Sequence, residues 1–144
     1  MTSRREQVLD GIKALIASAL PNAEVKRNLA KPDRIAPGGL AIIRDGDPGE
    51  AEIILSPLIY IYTHRIPVEL AAYETSSESR EQVLDGMLGA IGLAVMNDRT
   101  LGGLCDFMEA EAPATDDIET AGARPGRWAD AAIIAVYGTA DPLN

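Results

Sequence analysis

His64 and Cys105 are the only histidine and the only cysteine in the chain, so any imidazole-activated nucleophile would have to be built from this one couple. Nothing in the sequence draws them together. His64 lies in YIYTHR among alternating apolar residues, Cys105 lies in GGLCDFM, and neither stands in a nucleophile-elbow pattern. The expectation is a structural histidine and a buried, inert thiol. A second cluster is Asp45, Asp47 and Glu50 in DGDPGE. Carboxylates spaced in this way form part of a calcium loop, but a complete loop needs further oxygen ligands and a late bidentate glutamate. Ala51-Glu52-Ile53 returns instead to a strand pattern. The expectation there is a solvated hairpin turn whose charged tip meets another surface, with no metal and no cofactor.

The glycine pairs Gly38-Gly39 and Gly102-Gly103 stand before strand-like segments. Phosphate-binding loops need glycines after a strand and before a helix, so both pairs are expected to be turns. Tyr60 and Tyr62 have the alternation of a base-stacking platform, yet Arg65 is the only basic neighbour. Sheet packing or subunit contact suits them better than nucleic acid.

Charge bears on partners. Thirteen Lys and Arg against 22 Asp and Glu give a formal net charge of -9 over 144 residues. Sequence-independent nucleic-acid binding requires clustered cations on phosphates, and Arg4, Arg5, Lys26, Arg27 and Lys31 are too dispersed for that. No specific nucleic-acid binding is expected. No apolar run approaches the ~20 residues of a membrane span, and the first residues lack a signal-peptide pattern. With a single cysteine there is no intrachain disulfide. A cytoplasmic protein with no membrane partner is the expectation.

These residues must be held by a modest set of elements. An amphipathic helix is expected over residues 4–20, with Val8, Leu9, Ile12, Leu15 and Ile16 on one face. Ser3 and Glu6 form its capping box and Pro21 its stop. A second helix is expected over 78–97, with a Ser79–Gln82 box and a stripe of Val83, Leu84, Met87, Leu88, Ile91, Val95 and Met96. REQVLDG occurs in both, at 5–11 and 80–86, but the segments after each helix differ, so it reads as two similar helix starts.

Strands are expected at Ala23–Asn28, Leu40–Asp45, Glu52–Leu55, Leu58–Val68, Leu104–Glu109 and Trp128–Tyr137. DGDPGE would be the turn joining the second to the third. Ser56-Pro57 would break or bulge the chain. In Leu58–Val68 both faces are apolar at the start and polar later, which suggests cover on both sides of the first half and a segment projecting toward a neighbour. Residues 110–126, acidic and rich in Pro and Gly, would be a flexible loop. The fold class expected is α+β: one domain over 1–144, a mainly antiparallel sheet, two amphipathic helices on one face and a projecting β-hairpin.

ALPNAEVKRN at 19–28, PGGLAIIRDGDPGEAEIILSPLIYIYTHRIPVEL at 37–70, DRTLGGLCDFMEAEAP at 98–113 and VYGTADPL at 136–143 resemble the tail-terminator and minor tail proteins of alphaproteobacterial phages and prophages. The likeness covers most of the chain and lies in turn and strand sequences, not in catalytic signatures. It implies a non-enzymatic virion protein, a homo-oligomer (a hexameric ring) that caps the head-proximal end of the tail tube. Its partners would be the tail-tube protein and head–tail connector proteins. It would be made in the cytoplasm of the bacterial host and end in the virion tail. Other head–tail connector or tail components, and a non-viral cytoplasmic binding module, stay open beside it. Charged tips set register between subunits, so Arg44, Asp45, Asp47, Glu50, Asp116, Asp117 and Glu119 are expected at subunit or partner contacts.

Overall fold

The computed structural model describes residues 2–30, 35–118 and 126–144. Helix α1 spans Arg4–Ala19 and α2 spans Arg80–Asn97. Both start as their caps dictate. The Ser3 hydroxyl accepts the Glu6 N–H, and at α2 the capping box closes fully between Ser79 and Gln82. At α1 the box stays half-made, because the Glu6 carboxylate bonds Arg27 instead of turning back to the cap. The apolar stripes then fall on one side of each helix: Val8, Leu9, Ile12 and Ile16 on α1, Leu84, Met87, Ile91 and Val95 on α2.

Six strands form one sheet: β1 Glu24–Arg27, β2 Leu40–Ile43, β3 Glu52–Leu55, β4 Leu58–Ala72, β5 Phe107–Ile118 and β6 Gly126–Thr139. The order is β1-β2-β4-β6-β5, with β3 also on β4. Among the described residues only β1–β2 is parallel. Both helices pack on one face, where His64, Ile66, Val68, Leu70 and Ala72 of β4 meet Ala129, Ile133, Ala135 and Tyr137 of β6. The fold is therefore α+β with the helices on one side. On the back of the sheet a smaller cluster, Ile35, Leu40, Ile42 and Ala71 with Trp128 packed against it, covers the end near β1 and β2.

Three expectations need correction. DGDPGE is not the turn of a β2–β3 hairpin. Both strands pair with β4, on the same edge: Leu40–Ile43 opposite Val68–Ala71, Asp47 opposite Arg65, and Glu52–Leu55 opposite Leu58–Ile61. Residues 40–55 thus make one long arm with a bulge on either side of Asp47, and the reversal comes at Ser56-Pro57, a two-residue turn with a cis peptide. Glycine permits the bulge. Gly46 has φ 64°, and a Cβ there would lie 2.2 Å from the Arg65 carbonyl oxygen.

The second correction concerns cover. The first half of β4, Leu58–Thr63, is exposed or half-buried, and the buried residues begin at His64. Being apolar on both faces marks a segment that the chain itself leaves bare. The third concerns the acidic stretch. Residues 110–118 are no loop: they continue β5, which pairs with β6 from Phe107↔Val136 to Ile118↔Gly126, bulged between Glu111 and Ala114 where Pro113 lacks an N–H. The strand begins at Phe107, later than expected.

Gly46→Ala is expected to cost about 2 kcal/mol or more, from positive φ and from collision with β4. Gly49→Ala, where φ is also positive but the space is open, is expected to cost about half as much. Urea midpoints of the two variants check the difference.

Candidate functional site

The two reactive side chains are held apart in structural roles. His64 is fully buried on the helix side of β4. Its Nε2 lies 2.6 Å from the Asp45 carbonyl oxygen and its Nδ1 lies 2.9 Å from the Tyr137 hydroxyl. A carbonyl only accepts, so Nε2 carries the proton, and Nδ1 accepts from the Tyr137 O–H. Burial lowers the His64 pKa below its ordinary 6.5 and pushes the Tyr137 phenol up to about 12, which keeps both groups neutral. Cys105 donates its thiol to the Arg99 carbonyl across 3.9 Å. Burial, with the carboxylates of Asp106 and Asp98, pushes that thiol up to about 11. With both imidazole nitrogens and the thiol engaged elsewhere, the couple weighed from sequence is not assembled.

Arg27, at the end of β1, gathers the charges around it. It bonds both Glu6 carboxylate oxygens at 2.7 and 2.8 Å, Asp45 at 2.7 Å and Asp10 at 3.4 Å. The hydrogen bond from Arg27 holds the carboxyls of both Glu6 and Asp45 below their ordinary values. Helix α1, strand β1 and the segment after β2 thereby meet at one guanidinium. The Asp45 carbonyl adds the link to His64 on β4.

The residues expected at contacts sort into two groups. Arg44 pairs with Glu69 and donates to the Leu29 carbonyl, Asp45 belongs to the Arg27 cluster, and Asp117 binds Arg127 at 2.6 Å and Arg80 at 3.1 Å. These charges tie the chain to itself. Asp47, Glu50 and Asp116 are exposed. Asp47 caps the local turn by accepting the Gly49 N–H at 2.8 Å, and Asp116 accepts the N–H of Asp117 at 2.8 Å. Glu119 lies outside the described residues.

A further feature is apolar. The β3–β4 hairpin extends past the helices with Ile53 54%, Ile54 42%, Leu55 81% and Leu58 46% exposed. Alternation and register put Ile53, Leu55, Leu58 and Tyr60 on its helix-side (front) face, with Ile54, Ile59 and Ile61 on its back. The back row continues across the sheet through Gly138 and Val136 to Phe107, itself 44% exposed. There a cleft of about 380 Å³ opens between Ile59, Ile61, Gly138 and Leu104. The signal was present in EIIL and LIYIY, apolar at consecutive positions, but sequence alone read it as covered. Among the described residues no cluster of three or more His, Cys, Asp or Glu is placed to hold a metal ion. No protein-family profile matches the chain, and no curated protein sequence matches it.

The buried histidine and the Arg27 cluster predict a pH profile. A folded pKa below the unfolded one gives stability that is complete above the unfolded value and lost as pH falls through the folded value. Stability is therefore expected to fall first below about pH 6.5 as unfolded His64 takes up its proton. A second fall comes below about pH 4.5 as Glu6 and Asp45 are protonated. Arg27→Met is expected to lose about 1–2 kcal/mol at pH 7 and to flatten the second fall while leaving the first. Urea titrations between pH 3 and 8 check both.

Proposed function

We propose that the chain is a structural subunit of a phage or prophage tail, a terminator that assembles into a ring at the head-proximal end of the tail tube, with no catalytic part. The observation that carries this reading is the uncovered hairpin. Monomeric proteins rarely expose contiguous apolar patches beyond a few hundred Å². Here apolar side chains stand bare on both faces of one projection, which suits burial against neighbours. Repeated head-to-tail contacts close into a ring when the rotation between subunits allows.

Two further features support the reading. The formal charge of -9 disfavours adhesion to phosphates, as a passage for DNA requires. Acidic side chains are concentrated along β5, the edge strand opposite the β1 edge, in Glu109, Glu111, Asp116 and Asp117. The resemblance to tail terminators in the turn and strand sequences supplies the position on the tube, with the tube protein and a head–tail connector as the two partners.

Native mass spectrometry of the purified protein is expected to give a discrete ring, a hexamer on the resemblance, favoured by salt because each copy repels the next. Leu55→Asp is expected to release monomers, whereas Leu93→Asp, at a 58% exposed position on α2, keeps the ring. In cells lacking the protein, tubes of uncontrolled length are expected by electron microscopy. Tubes of normal length would remove the terminator role, and a strictly monomeric protein would remove the ring.

A further inference from the structure

The ring reading leaves open which surfaces meet, and the hairpin's two faces answer it. Resting on that reading, we infer that the front of one copy's hairpin lies on the back of the next copy's sheet, with Leu55 entering the cleft at Gly138. The two faces are complementary in kind. The front offers projecting side chains, Ile53, Leu55 and Leu58, and Leu55 is the most exposed of them. The back offers a depression. Gly138 lies opposite Ile61 in the β4–β6 register and carries no side chain, so a gap opens between the flanking Ile59 and Ile61 and the Leu104 beside them, with the charged Arg4 and Asp106 also in its lining. A Cβ on Gly138 would stand only 3.0 Å from Ile59 Cγ2, so a larger residue would close that gap.

Area separates this arrangement from its main alternative. The free apolar area of Ile53, Ile54, Leu55 and Leu58 amounts to roughly 300 Å² on one tip and roughly 600 Å² when two tips are taken together, from about 140 Å² for each whole side chain. Stable pairs begin near ~1,200 Å² in total, so tip-to-tip pairing is too small. Front-on-back stacking adds Tyr60 on one side and Ile59, Ile61, Val136 and Phe107 on the other. It also uses a different face toward each neighbour, so every copy can satisfy both. A symmetric dimer would leave the second face bare. The partner is thus a second copy of this chain, related by rotation and not by a two-fold axis.

Cross-linking tests the geometry. Leu55→Cys marks the tip and Asp106→Cys marks the exposed rim of the cleft. Cys105 is buried, and its thiol is pushed up to about 11, so the unaltered chain serves as the blank. A bismaleimide with a reach of about 10 Å, the spacing of stacked sheets, is applied while native mass spectrometry follows the oligomer. The expected result is a covalent dimer when the two single variants are mixed, none from either alone, and a ladder ending at the ring size from the double variant. Cross-linking of Leu55→Cys to itself would overturn the inference in favour of tip-to-tip contact. A ring that forms without Leu55–Asp106 cross-links would overturn the inference and leave the ring reading intact. A chain that stays monomeric at every concentration would overturn both.

Discussion

A mismatch of length governs this molecule. Strand β4 has 15 residues and so extends about 50 Å, while α1 and α2, with 16 and 18 residues, reach only about 24–27 Å. Even laid along the strand, neither helix covers more than about half of it. The helices bury the C-terminal half of β4, where His64, Ile66, Val68 and Leu70 are sealed. The N-terminal half must then extend beyond the two-layer body. Its apolar character is thus exposed by arithmetic and not by local disorder, since β3 pairs with it through four residues and β6 through Tyr60–Ala72.

The charged cluster at the root of the projection fixes its angle to the sheet. The arm that becomes β3 leaves β2 through Arg44–Ala51, a stretch with two bulges and little regular pairing. Side-chain ties that hold that stretch include Arg44 to Glu69, the Asp45 carboxylate to Arg27, and the Asp45 carbonyl to His64. The bond from His64 to the Asp45 carbonyl reaches into the core, where the imidazole is oriented by Tyr137. His64 thus acts by position, connecting a surface loop to the layer between helices and sheet. The same bonds explain why Asp45 is less available to a neighbour than Asp47 or Glu50.

Legibility in the sequence depended on how local each signal was. The helices were readable to within about two residues because the capping residues Ser3 and Ser79 and the apolar periodicity act within a few positions. The strands were readable as segments, because EIIL, LIYIYTHRIPV and WADAAIIAVY are rich in β-branched and aromatic residues. Pairing was not. Gly46, Pro48 and Gly49 permit a reversal and a bulge equally, and the choice was made by β4, which is long enough to accept both β2 and β3. Residues 110–118 hid a strand because edge strands carry the polar and acidic residues that otherwise mark loops. The candidate residues divided for the same reason. Exposure of Asp47, Glu50 and Asp116 came from their turns and edges, while the partners of Arg44, Asp45 and Asp117 lie 25, 18 and 10 residues away in sequence.

The edges of the sheet are protected unequally. A free strand edge invites another chain unless it is protected. Edge β5 is protected by acidic side chains, by Pro113 and by a bulge, and edge β1 by the charged pair Glu24 and Lys26. The third edge, β3, is short but otherwise open: of Glu52, Ile53, Ile54 and Leu55 only Glu52 is charged, and among the described residues β4 is its one strand neighbour. Protection is therefore withheld where the apolar faces are also bare. Both features fall on one hairpin, as the proposed subunit contact requires.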